Sequence, residues 1–447
     1  MKLPSPRVVS LAVFAIAGVL TFTACSKSRS GVSPVGWAWT GGVTEKSAII
    51  TGRIAVKEPV SLLIVEKSVT VTPTLTAAME DGMLHRFTLT DLKPGTLYHY
   101  RFVSSSGASL DDETRSFSTF PVPGKPASFR FAVASCSKPV NSPTFTAAAH
   151  QGVSFFLHTG DFHYNNIAKN RVEVFRSAYD SHLSAPSLRA FLATTPLFYQ
   201  WDDHDFGPSG SDKTSPSRTA SIQNYKELVP HFAISNPSDP LAPVDQAFTV
   251  GRVRFILSDL RSQRDRAGHR MMNAAQDAWL REQLLAARDA GYPLIFWMTT
   301  TPWNGAPADF DRWQGYTAQR TEIADFIKAN GLVGKVAILS GDAHMTAIDD
   351  GTNSDFATGG GAPIRVFQAG PIYNSGSYKG GPYSHGSSYQ GKSDKRFTHF
   401  GLVDIKDDGK KIHVTWSGRE GSDGLGDNVL ISAQDAQGPI QYEFTVE

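Results

Sequence analysis

The chain has 447 residues, 43 basic and 42 acidic side chains, a formal net charge of +1 and 40% hydrophobic residues. So even a balance leaves no electrostatic footprint for nucleic acid or an anionic membrane surface, and the length exceeds one ordinary domain. With only two cysteines, Cys25 and Cys136, a disulfide framework is excluded.

The chain opens with Lys2 and Arg7, an apolar stretch from Val8 to Phe22, and then Thr23-Ala24-Cys25-Ser26. That is the charge, apolar core and small-residue end of a signal peptide over 1–25. Its about 15 apolar residues fall short of the roughly 20 that span a bilayer. The Ala24-Cys25 end resembles a bacterial lipoprotein cleavage box. The resemblance implies lipidation of Cys25, a tether over 26–35, and an exported protein anchored at the cell envelope, with simple secretion as the alternative. Once that segment is removed Cys136 has no internal partner, so it is a packing residue, a reactive thiol or a metal ligand.

From 36 to 122, short β-branched and aromatic runs such as Ala48-Ile49-Ile50-Thr51 and Ser61-Leu62-Leu63-Ile64-Val65 alternate with turn residues, which predicts a small all-β unit. The segment Leu97-Tyr98-His99-Tyr100-Arg101-Phe102 resembles the tyrosine-corner strand of fibronectin type III sandwiches, in which a Tyr hydroxyl bonds to upstream backbone. Tyr98 and Tyr100 are therefore expected to be structural. Pro121-Val122-Pro123-Gly124-Lys125-Pro126 marks a joint before a second domain over 127–447.

Beyond the joint, apolar strands alternate with helical spacing. The clearest helix runs from Ala274 to Ala290, with Leu280, Leu284 and Ala287 on one face and Gly291 as its stop. Buried strands are predicted over 293–298 and 335–340, and the chain ends in alternating strands. The alternation predicts an α/β layered domain.

Polar clusters follow four of the predicted strands. Cys136 follows Phe131 to Ser135, and Gly160-Asp161-Phe162-His163-Tyr164 follows Val153 to Thr159. Asp202-Asp203-His204-Asp205 follows Pro196 to Trp201, and Gly341-Asp342-Ala343-His344 follows Val336 to Ser340. Each cluster alone reads as a turn, a solvated acidic loop or an inert core cysteine. Ligands bind outside the carboxyl ends of strands in an open α/β sheet, so all four can meet in one crevice. There, several carboxylates and two histidines call for a cation.

The order Cys136, Gly160-Asp161, Trp201-Asp202-Asp203-His204-Asp205-Phe206-Gly207 and Ser340-Gly341-Asp342-Ala343-His344 resembles the alkaline phosphatase D (PhoD-type) branch of the calcineurin-like metallophosphoesterases. The resemblance implies a four-layer α/β fold, a metallophosphoesterase-type β-sandwich flanked by helices, behind the small all-β domain. It implies iron (Fe3+) on Cys136, Asp161, Tyr164 and His344, and calcium (Ca2+) bridged by Asp161, with Asp203 and Asp342 as oxygen ligands and Asn304 as a further candidate. His204 is expected beside the phosphate as a catalytic group. Arg261 is expected either to clamp a phosphate or to pair with Asp259 or Asp265.

The implied reaction is hydrolysis of a small-molecule phosphate monoester or diester by a metal-activated hydroxide, in a monomer. A Cys-x5-Arg loop would need arginine at Ser142 and a sulfatase-type motif proline at Lys138, so Cys136 is a poor nucleophile candidate. Two alternatives are hydrolysis of phospholipid headgroups and a non-catalytic lipoprotein that binds through its β-sandwich.

Overall fold

The computed structural model describes residues 33–138, 141–305, 310–389, 397–421 and 429–447. The signal-peptide segment, Cys25 and most of the tether lie outside the described residues. Among the described residues, no helix is long and apolar enough to cross a membrane.

Two four-stranded sheets build the front of the chain. One runs Val35–Gly41, Ala48–Ile54, Gly82–Leu89, Leu75–Met79, and the other Val69–Val71, Val60–Ile64, Leu97–Ser104, Arg115–Ser118. Their apolar faces meet where Phe87 of one packs on Phe102 of the other, ring centroids 5.8 Å apart. The Tyr98 hydroxyl accepts the Lys93 N–H at 2.8 Å, the upstream backbone bond expected of a tyrosine corner. Tyr98→Phe is expected to cost about 0.5–1.5 kcal/mol, the net value of one such bond. It should appear as a lower denaturant midpoint at constant slope, and an unchanged midpoint would deny the bond any role.

The front unit does not stand apart: Pro34–Glu447 form one compact body. Trp39 donates its Nε1–H to the Leu197 carbonyl at 2.8 Å and stacks on Phe162 at 5.5 Å. Arg86 donates to the carbonyls of Lys226 and Val229, each at 2.9 Å, and Phe120 packs on Phe155, Phe198 and Phe248. The proline-rich joint over 121–126 is a change of composition and not a break in packing.

The rest of the chain builds two seven-stranded sheets. In the first, Leu197–Tyr199, Phe155–His158 and Phe129–Ala134 are parallel, and the antiparallel strands His399–Asp407 and Ile412–Glu420 extend them. In the second, Val253–Leu257, Leu294–Thr299, Val336–Ser340 and Arg365–Gln368 form a parallel centre. The sheets face each other across an aromatic core in which Phe131 meets Phe255 at 5.4 Å and Phe296 at 5.5 Å.

Strand alternation sends the next residues outward, where helices cover them. Ile256, Ile295, Trp297 and Ile338 share a core with Leu280 and Leu284 of helix Ala274–Asp289 and with Ile323 and Ile327 of helix Thr317–Ala329. On the other side Ala132 and Phe156 are covered by Phe145 and Leu188, from helices Pro143–His150 and Pro186–Leu192. The result is the expected four-layer α/β arrangement. The four polar clusters are divided between two sheets, where the strand-end argument places them on one. The crevice therefore lies at the shared carboxyl edge of a pair of facing sheets.

Candidate metal centre

Backbone conformation sets the site. Eight non-glycine residues among those described have positive φ, and four of them are Cys136 (φ 64°), Asp161 (56°), Asp342 (60°) and His344 (49°). Left-handed backbone costs roughly 1–3 kcal/mol per residue and persists where surrounding structure enforces it. Here the neighbouring loops supply the enforcement: the Cys136 N–H donates to the Gly160 carbonyl at 3.0 Å and the Ser137 N–H to the Asp161 carbonyl at 2.9 Å.

Two glycines make room for these loops. At Gly160 a Cβ would stand 2.5 Å from the Asp202 Cβ, and at Gly341 it would stand 2.3 Å from the Thr159 carbonyl oxygen. Only glycine lets the three loops close on one another at these distances. Asp205 then ties two loops together: Oδ2 accepts the Phe162 N–H at 2.8 Å and the Tyr199 hydroxyl at 2.5 Å, and Oδ1 accepts the Asp202 N–H at 2.7 Å.

The donors fall into two groups that share one residue. Cys136, Asp161 and His344 present ligand atoms within 4.8 Å of one another, and so do Asp161, Asp203 and His204. Tyr164 joins the first group. Its hydroxyl donates to Asp161 Oδ2 at 2.8 Å and lies 2.9 Å from His344 Nε2, while Cys136 Sγ is 3.7 Å from Asp161 Oδ2. His344 Nδ1 faces the Ser375 carbonyl at 2.9 Å, so the proton sits on Nδ1 and the Nε2 lone pair points to the cluster, the arrangement a ligating histidine uses.

Buried anionic groups held this close do not ionise unaided. Burial first, and then the charge of Asp161, pushes the Cys136 thiol and the Tyr164 phenol well up. Burial and the carboxylates of Asp203, Asp202, Asp205 and Asp342 push Asp161 well above its usual range. Burial lowers His344 to about 4 and also lowers His204. Asp161 Oδ1, Asp203 Oδ1 and Asn304 Oδ1 are buried with no hydrogen-bond partner. Each is a cost that a cation removes, so this donor set fits metal ions. Thiolate, phenolate, carboxylate and imidazole suit a transition metal, and the Asp161 and Asp203 carboxylate oxygens suit a harder ion.

The remaining predicted residues sit differently. The Asp342 oxygens are held by side-chain cations, Lys379 Nζ at 2.7 Å on Oδ1 and Arg312 Nε at 3.2 Å on Oδ2. Burial would raise the Asp342 carboxyl, but Lys379 and Arg312 outweigh it and hold it low. Asp342 thus lies beside the two donor groups and is not brought into either. Asn304 is fully buried and donates to the Pro382 carbonyl at 3.2 Å. His204 packs its ring 4.4 Å from that of Tyr164 and anchors Nδ1 on Asn166 Oδ1 at 2.6 Å.

Arg261 is fully buried and makes two bonds to Asp202, at 2.5 and 2.9 Å, and one to Asp311 at 2.6 Å. Of the expected acidic neighbours, Asp259 takes only the Arg261 backbone N–H, at 3.0 Å on Oδ1; the guanidinium is occupied within the protein and also stands 3.6 Å from Asp203 Oδ1. Asn166, Arg312 and Lys379 are the site residues that strand-end reasoning does not single out, while Asp205 belongs to the strand-end cluster after Trp201 and turns out to tie the loops together.

The sequence model of the PhoD-like phosphatase family matches residues 131–416. Alkaline phosphatase D of Bacillus subtilis (strain 168) is 26% identical over 308 residues, 57% of this chain and 52% of that protein, so the chain spans about half the length of this curated relative. A solved structure of PhoD superposes with a TM-score of 0.69 at 17% identity, over 93% of this chain and 90% of the other. The purple acid phosphatase PPD1 from yellow lupin (Lupinus luteus) seeds superposes with a TM-score of 0.59 at 13% identity, over 92% and 73%. At these identities the two structural likenesses speak for the fold, while the family match covers more than half of the chain and includes every strand-end cluster: the chain belongs to the PhoD-like phosphatase family.

Proposed function

We propose that this protein is an exported, metal-dependent phosphoesterase that hydrolyses small-molecule phosphate monoesters, diesters or both, with no covalent protein intermediate. The observation that carries the reading is the pair of donor groups hinged on Asp161. Cys136, Asp161, Tyr164 and His344 would hold iron, whose trivalent charge the thiolate, phenolate and carboxylate offset. Asp161, Asp203 and Asp342, whose carboxylate also meets Lys379 and Arg312, would hold calcium, with the Asn304 amide oxygen as a further candidate. Bound ions of this kind lower the pKa of water and neutralise phosphoryl oxygens.

The chain's own residues supply the rest. His204, fixed through Nδ1 by Asn166, has Nε2 4.0 Å from Asp203 Oδ2, within reach of a phosphate seated there, so in its doubly protonated form, with a second N–H at Nε2, it would stabilise or protonate the departing oxygen. Arg261 would act through Asp202, holding the loop that carries Asp203. The apolar segment from Val8 to Phe22 and the Ala24-Cys25 box support export with a lipid anchor on Cys25, and the tyrosine-corner bond supports a fibronectin type III-like front domain.

The test is elemental analysis, a visible spectrum, and hydrolysis of 4-nitrophenyl phosphate and bis(4-nitrophenyl) phosphate by the fragment beginning after Cys25, beside Cys136→Ala. The expected result is a coloured, iron-containing protein that hydrolyses at least one ester and loses both colour and activity on chelation or in Cys136→Ala. Iron retained unchanged in Cys136→Ala would remove the thiolate from the site, and no hydrolysis by metal-replete protein would reject the enzyme.

A further inference from the structure

The floor of the site is anionic, but its rim is not. Lys379 and Arg312 lie on the Asp342 carboxylate with side chains 25% and 14% exposed, while the Asp342 side chain beneath them is 4% exposed. Lys138 Nζ stands over the Tyr164 ring, 5.6 Å from its centroid. Asp342 stands two residues before His344 on the same strand-end loop, which places Lys379 beside the donor groups.

The loop that carries Lys379 is docked firmly. A Cβ at Gly380, which has a φ of +82°, would stand 2.9 Å from the Asn304 carbonyl oxygen. The Asn304 side chain donates to the Pro382 carbonyl, and the Tyr383 hydroxyl donates to the Lys379 carbonyl at 3.3 Å. An ammonium group has three donors. Two of them reach Asp342, at Oδ1 and at the backbone carbonyl 3.1 Å away, so Asp342 orients Lys379 and leaves the third for an oxygen at the mouth of the site.

We propose that Lys379, with Arg312 beside it, is a phosphoryl-oxygen subsite oriented by Asp342, and that it favours dianionic phosphate monoesters over monoanionic diesters. The inference rests on the phosphoesterase reading. The charge argument is direct: a monoester at alkaline pH brings two negative charges to this rim and a diester one, so fixed cations bind the monoester more strongly. A diester also replaces one charged oxygen with an alkoxy group, which an ammonium donor bonds less well.

The test compares Lys379→Met and Lys379→Arg with the unsubstituted protein at equal metal content, on 4-nitrophenyl phosphate and bis(4-nitrophenyl) phosphate, with inorganic phosphate binding measured by calorimetry. In Lys379→Met, kcat/KM for the monoester should fall about 10–100-fold, mainly through KM, the worth of one charge-assisted hydrogen bond. The diester should lose a smaller factor, phosphate affinity should fall with the monoester, and Lys379→Arg should restore most of the loss. Equal losses on both esters, or unchanged phosphate affinity, would overturn the subsite. If the unsubstituted protein hydrolyses neither ester, the phosphoesterase reading fails by itself, and phosphate affinity still decides whether Lys379 binds phosphoryl oxygens.

Discussion

Asp161→Asn is expected to lower turnover on any phosphate ester by the order of 10³-fold or more while leaving the metal-free protein at least as stable as the parent. The two halves of this expectation have one cause. Asp161 is the residue common to both donor groups, so its replacement removes a ligand from each. Losing an outer-shell partner of a metal ligand already costs about 10–100-fold, and losing a shared anionic ligand goes beyond that. Without a cation, however, the ionised carboxylate is a liability. It is buried, its Oδ1 has no partner, and burial and four neighbouring carboxylates raise its pKa. Asparagine has the same shape and no charge to bury, so the chelated variant should unfold at an equal or higher denaturant concentration than the chelated parent. Activity within tenfold of the parent at full metal loading would show that Asp161 is not the hinge of the site, and a large loss of stability in the chelated variant would make it a structural residue. This is the usual exchange between stability and function at a site built from destabilising groups.

The same physics decides what was legible in the sequence. Strand tips bearing Cys136, Asp161, Asp203 and His344 stand out because a short apolar run followed by a polar cluster is a local signal, and local signals survive in one dimension. That the tips belong to two facing sheets is not local. It depends on Phe131 meeting Phe255 and Phe296 across the core, and no spacing encodes that. Trp39 is a further case: it sits in an alternating strand of the front unit, so periodicity makes it that unit's core, yet it stacks on Phe162, the residue next to Asp161. Long polar side chains are the least legible of all. Arg261 has acidic neighbours two residues before it and four after, but its guanidinium bonds Asp202, 59 positions away, and Asp311, 50 positions away. Lys379 lies in a Gly-rich stretch with no periodicity, so only the fold shows that it lands on Asp342.

Arg261→Met is expected to destabilise the protein by about 3–5 kcal/mol, the cost of removing one partner from a buried ion pair. Arg261 holds Asp202 through two bonds and Asp311 through a third, and Met fills its volume without a charge. Burial pushes the Asp202 carboxyl up against the pull of Arg261, so without the guanidinium it takes up a proton more readily, which limits its share of the cost. Asp311 behaves in the opposite sense. Burial would raise it, but Arg261 and then Arg264 hold it low. A depressed carboxylate contributes stability above its unfolded pKa of about 3.9 and loses it as pH falls through the folded value. The penalty of Arg261→Met should therefore be greatest at neutral to alkaline pH and should shrink below about pH 4, a profile that denaturant unfolding at several pH values can read. A phosphate clamp predicts something else: KM would rise with little change in stability, because a clamp meets its charge partner only when substrate is bound. The buried geometry allows no such vacancy, so the loss should appear first in the unfolding curve, and in activity only as the loop from Asp202 to Asp205 loosens and carries Asp203 and His204 out of register with Asp161.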